Sequence, residues 1–326
     1  MMQLGGRRDQ VLQILRRSPA PLDDDQVAAA AQMNRVYVNA VCRQLAADGL
    51  ITRQPGPANK IVNIVAVGGS QMASPAAATV VQPRLRTRAD RAGLAAGRIR
   101  ELVAGFAEYV TAFETSAAFP GPSLYFHLRA IERRREHESV ESLLEDRIFL
   151  EYVYAVLPAW GMHRMGPQRA KVADFTSIVG ALRRAAPALE QLWPLRITAL
   201  DAEAAGYSAA TAWDVISGLQ VSTSQTQIVA GSKFLHHLLP DLIPPIDRQY
   251  TFNFFTGRTM VASDKAAFLD WFPQLAMIGS QCREPIHDAM DRGGFMATGE
   301  AKIIDNAIMG FMQRHRASSA DGDDLP

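Results

Sequence analysis

A run of 16 residues without a charged side chain, residues 68–83, constrains the organisation of this 326-residue chain more than any other feature. The run consists mainly of glycine, alanine, serine and proline, and it has neither a helix cap nor an apolar period. Such segments behave as flexible tethers because they have too little apolar surface to form a packed core. The sequence therefore predicts two domains, residues 1–67 and 84–316, joined by a flexible linker at 68–83.

Charge is distributed unevenly along the chain. Residues 1–66 carry eight basic and five acidic side chains (+3), and residues 84–100 carry six arginines and one aspartate (+5). Residues 101–326 carry twenty basic and twenty-seven acidic side chains (−7). A polyanion such as DNA would prefer the basic N-terminal third. The alternative for the arginines is a surface helix with solvated charges.

The composition excludes several classes of protein. Hydrophobic residues make up 48% of the chain, which excludes a disordered or fibrous protein. The two cysteines, Cys42 and Cys282, are too few for a disulfide framework or a cysteine-based zinc site, and they indicate a reducing compartment. The chain has no uninterrupted run of about 18 apolar residues and no signal-peptide pattern, so we expect a cytoplasmic protein that does not enter a membrane.

Several enzyme motifs are also missing from the sequence. It has no phosphate-binding loop, no glycine-rich dinucleotide fingerprint, no zinc-protease helix and no serine nucleophile elbow. His236 and His237 are adjacent, and in a helix their side chains would point about 100° apart, so they cannot both bind one metal ion. We therefore predict no cofactor and no metal site.

The first 66 residues have the pattern of three helices followed by a β-hairpin. Three aspartates at residues 23–25 lie at a predicted helix N-terminus, where negative charge is favourable. Gly49 follows the third predicted helix, at the position where a glycine in the left-handed conformation commonly ends a helix. The predicted helices cover residues 9–17, 23–32 and 34–48, and the β-type runs cover residues 50–53 and 60–67.

Residues 41–52, with Leu45, Gly49, Leu50 and Ile51, resemble the junction between the third helix and the wing of bacterial winged-helix DNA-binding domains. The resemblance implies that the third helix enters the major groove of duplex DNA while the wing lies near phosphates. The residues implied for groove contacts are Arg35, Asn39 and Arg43, and those implied for phosphate contacts are Arg53 and Lys60. Because winged helices also bind proteins, a protein partner stays open.

From residue 101 onward the pattern is almost wholly helical, with Pro, Gly and short polar turns between the segments. About ten helices are predicted, among them helices at residues 139–157, 169–185, 188–193 and 300–315, and a tail at residues 317–326 is predicted to be disordered. The expected fold class is therefore mainly α: a small N-terminal winged helix and a larger all-α domain.

Residues 228–250 contain a short helix, a rigid proline turn and a second helix that opens at Asp247. This segment resembles the catalytic region of the helix-hairpin-helix DNA glycosylase superfamily. The resemblance implies that Lys233 is the nucleophile and Asp247 the catalytic aspartate, with Gly231 and Ser232 close to a DNA phosphate. The turn has one glycine, Gly231, where the superfamily usually has two.

The implied chemistry places demands on the surroundings of both groups. A lysine amine attacks the sugar C1′ only when it is unprotonated, which requires desolvation or nearby cations, and a carboxylate stabilises the cationic sugar. The target base must be flipped out and held by aromatic and polar groups. Candidates for this base pocket are Trp213, Phe234, His236 and Tyr250.

Two classes of function follow from these patterns. The first is a DNA-processing enzyme, in which a winged helix delivers a glycosylase-like domain to duplex DNA. The second is a non-enzymatic transcriptional regulator, in which the helical domain forms a homodimer or senses a ligand. In the second class Asp247 is only a helix cap, and Lys233 is a surface or phosphate-contacting residue. A basic pocket around the pair favours the enzyme, and a large apolar face or cavity favours the regulator.

Overall fold

The computed structural model describes residues 7–18, 20–33, 35–56, 60–65, 88–116, 121–162, 171–224 and 226–320. The chain separates into two compact units, Met1–Gln82 and Pro83–Pro326, which we call unit 1 and unit 2. The predicted linker at 68–83 lies outside the described residues. In the described ranges the protein is mainly helical, as predicted from the sequence.

Unit 1 consists of three helices and a three-stranded antiparallel sheet. The strand order is β1-β3-β2, and Ile51 of β2 lies opposite Val65 of β3. The sequence did not predict β1, because a two-residue strand carries no alternating pattern. The elements are α1 (Arg7–Arg17), β1 (Leu22–Asp23), α2 (Asp24–Ala31), α3 (Arg35–Ala47), β2 (Ile51–Pro55) and β3 (Ile61–Val65).

Local chemistry explains how these elements begin and end. The Asp23 carboxylate accepts hydrogen bonds from the amides of Asp25 and Gln26, and the Gln26 side chain accepts one from the Asp23 amide, which completes a capping box at α2. Gly49, with φ of 70°, follows α3 in the left-handed conformation. The core contains apolar side chains from all three helices and β2, among them Val11, Val27, Val38, Leu45 and Ile51.

Unit 2 is built from helices that surround one large apolar core. A 3₁₀ turn (Ile197–Ala199) and two π-helical turns (Pro158–Met162 and Arg248–Phe252) join some of them. The helices are α4 (Arg88–Ala104), α5 (Phe106–Thr115), α6 (Pro122–Arg134), α7 (Val140–Glu145), α8 (Arg147–Leu157), α9 (Phe175–Leu192), α10 (Ala202–Leu219), α11 (Ile228–Leu238), α12 (Asn253–Thr256), α13 (Asp264–Gln281), α14 (Arg283–Asp291) and α15 (Glu300–Ala320).

Helix α15 packs closely along α5 and extends further than predicted. A Cβ atom on Gly310 would lie 1.9 Å from the Tyr109 carbonyl oxygen, so only glycine permits this approach. The helix continues to Ala320, four residues into the predicted tail, and residues 321–326 lie outside the described part. None of the described helices is long and apolar enough to cross a membrane.

Candidate functional site

Lys233 and Asp247 meet in unit 2 where α11 and the Arg248–Phe252 turn face each other. The Lys233 Nζ atom lies 3.4 Å from Asp247 Oδ2 and donates a hydrogen bond to the Trp160 carbonyl at 3.0 Å. The Lys233 side chain is 9% exposed and that of Asp247 is 31% exposed. The amine is thus largely removed from water, whereas the carboxylate can still be reached from solvent.

Asp247 is both a helix cap and an ion-pair partner. Its Oδ1 accepts hydrogen bonds from the amides of Gln249 at 2.6 Å and Tyr250 at 3.2 Å. Its Oδ2 faces the Lys233 ammonium. The amides orient the carboxylate, and capping does not use up the oxygen that faces Lys233.

Gly231 and Ser232 do not lie where a DNA phosphate could reach them, contrary to the prediction. Both residues are buried, and a Cβ on Gly231 would lie 2.6 Å from Ile216 Cγ2 of α10. The Ser232 hydroxyl accepts a hydrogen bond from the Ile246 amide at 3.0 Å. This glycine therefore permits close helix packing, and the serine fixes the proline turn.

The N-terminus of α11 is also occupied by another part of the chain. Asp264 Oδ2, at the start of α13, accepts hydrogen bonds from the amides of Gln227 at 2.8 Å and Ile228 at 3.1 Å. A carboxylate thus takes the position in which the resemblance implies a DNA phosphate.

Three buried histidines lie beside Lys233, and two of them, His237 and His127, form a hydrogen-bonded chain. His237 Nδ1 donates to the Lys233 carbonyl at 2.7 Å, so its Nε2 accepts from His127 Nδ1 at 3.0 Å. The remaining nitrogen, His127 Nε2, then accepts from the Thr298 hydroxyl at 2.9 Å. This sequence of bonds requires one neutral tautomer for each ring.

The protonation of these histidines is governed by their burial. Desolvation lowers the pKa of His237 to about 4 and lowers the pKa of His127 and His236 well below the usual histidine range. His236 Nδ1 donates to the Ile243 carbonyl at 2.8 Å, and its buried Nε2 has no hydrogen-bond partner among the residues that the structure describes. His236 is therefore inaccessible to a base, contrary to its predicted place in a base pocket.

A second buried lysine–aspartate pair lies on α15 and was missed by the sequence analysis. Lys302 Nζ lies 2.7 Å from Asp305 Oδ2 and 2.5 Å from Asn306 Oδ1. Burial lowers the pKa of Lys302 and raises that of Asp305, and the Lys233 charge adds to the lowering at Lys302. The sequence feature that could have revealed this pair is two opposite charges, three residues apart, within a mostly apolar helical run.

The other base-pocket candidates differ in their positions. Trp213 packs against Phe268 within the core, and Phe234 is also a core residue, so neither can stack on a base. Tyr250 is half-buried next to Asp247, and the Arg316 guanidinium lies 5.3 Å from the centre of its ring. Trp160, which was not predicted at this site, is buried with its ring centre 5.9 Å from Lys233 Nζ.

In unit 1, most of the predicted DNA contacts are paired with the aspartates at residues 23–25. Arg35 Nε lies 2.8 Å from Asp25, Lys60 Nζ lies 3.1 Å from both Asp23 and Asp25, and Arg53 lies 2.6 Å from Asp24. The Asn39 side chain also donates to Asp24. Asn39 and Arg53 thus face the interior of unit 1.

Arg43 differs from the other predicted contacts. It is exposed and has no ion pair with the carboxylates that the structure describes. Tyr37, Ala40 and Gln44 are exposed on the same helix, α3. The accessible surface of α3 is therefore formed by these residues and Arg43, with Arg35 at its N-terminal end.

Comparisons with models of protein families, with curated proteins and with solved structures found no match for this chain. Within the described ranges, no three His, Cys, Asp or Glu side chains are grouped so that they could hold a metal ion.

Proposed function

We propose that this chain binds duplex DNA through unit 1 and that unit 2 excises a damaged or modified base with Lys233 and Asp247. The observation that carries the proposal is the 3.4 Å approach of Lys233 Nζ to Asp247 Oδ2 across the proline turn. A nucleophilic amine and a carboxylate beside it are the two groups that base excision by a lysine requires.

The surroundings of Lys233 support a role as nucleophile. Its side chain is largely desolvated, and a second ammonium, that of Lys302, is close enough for the two charges to interact. The Lys233 ammonium donates hydrogen bonds to the Trp160 carbonyl and to Asp247, so a bound nucleotide must displace at least one of them before attack.

The order of events follows from the positions of the two groups. The Lys233 Nζ–C1′ bond forms as the C1′–base bond breaks, the bonding pair leaves with the base, and the base takes up one proton of the attacking amine. The C1′–O4′ bond then breaks, O4′ keeps its electron pair and takes up the other amine proton, and an imine between Lys233 and the opened sugar results. The Asp247 carboxylate, held by two amides, faces the cationic sugar from the more accessible side. Tyr250 is half-buried beside Asp247, and we assign it to the flipped base in place of Trp213 and Phe234. Trp160 is as buried as Trp213, with 8% of each residue exposed, so it forms the floor beside Lys233.

The arrangement of unit 1 supports binding to DNA through a winged helix. Its three helices precede a β2–β3 hairpin, and β1 pairs with β3 on the other side. In this arrangement α3 is the recognition helix and the hairpin is the wing. We assign the groove contacts to Arg43, Gln44 and Tyr37, because Asn39 is turned inward.

A base-release assay tests the proposal. Duplexes that each carry one damaged or modified base are incubated with the wild-type protein, Lys233→Gln, Asp247→Asn and the control Lys265→Gln, which removes an exposed lysine from α13. We expect release from at least one duplex by the wild type and the control, and a loss of at least about 100-fold in both site variants. Equal release by Lys233→Gln and the wild type would overturn the assignment.

The second candidate is a non-enzymatic DNA-binding regulator. It is favoured by an apolar cleft of about 1100 Å³ between α4 and α13, which shares no lining residue with the Lys233 site. In a regulator, Asp247 would serve only as a cap, and Asn would replace it without loss because both residues cap helices. The regulator predicts DNA binding with no base release from any duplex.

A further inference from the structure

A cleft of about 1100 Å³ lies between α4 and α13 in unit 2. One wall is a face of α4, the other is a face of α13, and the segment between α12 and α13 closes one end. Its volume, about 1100 Å³, is at the upper limit of small-molecule sites, which are typically about 300–1000 Å³. The cleft can therefore accept a ligand with an extended apolar body.

The walls and rim of the cleft are suited to an apolar body. Ile99 and Val103 of α4 face Trp271 of α13. At the rim, Met260 is 72% exposed and Met277 is also exposed, although both side chains are apolar. Methionine is flexible and polarisable, so it adapts to apolar ligands of different shapes.

The charged side chains that line the cleft indicate the charge of the head group that a ligand would carry. Arg100 of α4 and Arg258 of the segment after α12 line it, opposed by the single carboxylate of Asp270. Neither arginine forms an ion pair with a carboxylate in the ranges that the structure describes. Arg98, by contrast, donates to the carbonyls of Asn253 and Phe254 and fixes α4 against α12. The lining thus has a net positive charge and two guanidinium groups that can take an anion.

We propose that this cleft binds an amphiphilic small molecule with a long apolar body and one anionic head group. The body lies between α4 and α13, and the head group is held by Arg100 and Arg258. The inference is independent of base excision, because Lys233, Asp247, Trp160 and Tyr250 do not line the cleft.

Displacement of a fluorescent dye tests this proposal on the full chain. 1-Anilinonaphthalene-8-sulfonate is bound to the wild-type protein and then displaced with dodecanoate, dodecanol or dodecyltrimethylammonium, each below its micellar concentration. We expect dodecanoate to bind at least about tenfold more tightly than the alcohol or the cation, since two guanidinium contacts favour the anion. Equal displacement by all three, or none by dodecanoate, would overturn the proposal.

Paired variants locate the site. Ala96→Trp fills the cleft from an exposed position of α4, and Ala210→Trp makes the same change on the exposed face of α10. Arg100→Gln and Arg258→Gln remove the cations, and Arg292→Gln removes an exposed arginine outside the cleft. We expect weaker dodecanoate binding in the three cleft variants only, by about tenfold for Ala96→Trp and about threefold for each arginine. Unchanged binding in Ala96→Trp with unaltered helicity would contradict the site.

Discussion

At the scale of single residues, the aspartates at residues 23–25 decide which basic groups of unit 1 are available to DNA. Asp24 is buried and accepts hydrogen bonds from the side chains of Asn39, Arg53 and Asn63, so it serves the fold. Asp25 is more exposed and pairs with Arg35 and Lys60. A phosphate would compete with Asp25 for those two cations.

Replacing Asp25 by Asn should therefore tighten DNA binding. The substitution releases Arg35 and leaves Lys60 paired with Asp23 alone, and loss of an exposed pair of this kind changes affinity by about two- to fivefold. The measurement is a salt titration of duplex binding by fluorescence anisotropy, in which the logarithmic slope should steepen by about 0.9 for each phosphate gained. The control Asp9→Asn makes the same charge change on α1. If both variants bind equally, charge alone explains the gain and the assignment of Arg35 and Lys60 fails.

The buried histidines predict a loss of stability in mild acid. In the unfolded chain their pKa is near 6.5, whereas burial depresses it in the folded protein, to about 4 for His237. Above pH 6.5 both states hold neutral rings. As the pH falls from 6.5 towards 4, only the unfolded state takes up these protons, so the free energy of unfolding falls by up to about 1.4 kcal/mol per pH unit for each ring.

Denaturant unfolding between pH 7.5 and pH 4.5 measures this dependence. His236→Asn keeps a donor for the Ile243 carbonyl and removes one titrating ring, so the pH slope should decrease by about one proton. His315→Gln, which replaces a histidine of α15 that is 45% exposed, is the matched control against which the decrease in His236→Asn is measured. An identical slope in His236→Asn and the wild type would show that this ring is not neutral in the folded state.

At the scale of elements, the sequence predicts helix content better than helix ends. A single helix was predicted for residues 139–157, but Asp146 caps a new helix at Arg147, so α7 and α8 are separate. One helix was also predicted to end at residue 185, before Pro187, and another to begin at residue 188. The structure instead has α9 running through Pro187 to Leu192, packed on the core along its length. Tertiary packing here outweighs the cost of one missing backbone hydrogen bond.

The contact between α5 and α15 predicts the effect of one glycine substitution. Gly310→Ala places a methyl group 1.9 Å from the Tyr109 carbonyl oxygen and should destabilise unit 2 by about 1–3 kcal/mol, because the helices must separate. Gly206→Ala, in α10 with no atom within 4 Å of the new Cβ, should stabilise it by about 0.5–1 kcal/mol. Urea unfolding monitored by circular dichroism compares the two. Stabilisation by Gly310→Ala would contradict the close approach.

At the scale of the whole molecule, the sequence anticipates two compact units and the elements that hold Lys233 and Asp247. These two residues are only fourteen positions apart, so the local order of helix, turn and cap already brings them together. Contacts between distant segments were not predictable. Asp264 at the start of α11, Lys302 near Lys233 and the pairing of Arg53 with Asp24 all depend on how separate elements pack.

The candidates for the base pocket show the same difference between local structure, which the sequence predicts, and long-range packing, which it does not. Trp213 and Phe234 have aromatic rings that could stack on a base, but both are buried in the core. The sequence alone does not show which face of a helix becomes buried when many helices pack together. Trp160 lies at the site through its carbonyl and ring although it is 73 residues from Lys233. Aromatic residues are therefore assigned to a site more safely from packing than from proximity in the sequence.

Covalent trapping tests the central claim most directly. The full-length protein is mixed with duplexes that carry damaged or modified bases in the presence of borohydride, which reduces an imine between a lysine and the sugar, and the adduct is mapped by peptide mass. The account predicts one adduct, on Lys233, which is retained in Lys265→Gln and lost in Lys233→Gln while that variant still binds the duplex. An adduct on another lysine, or no adduct with any duplex that the protein binds, would contradict it.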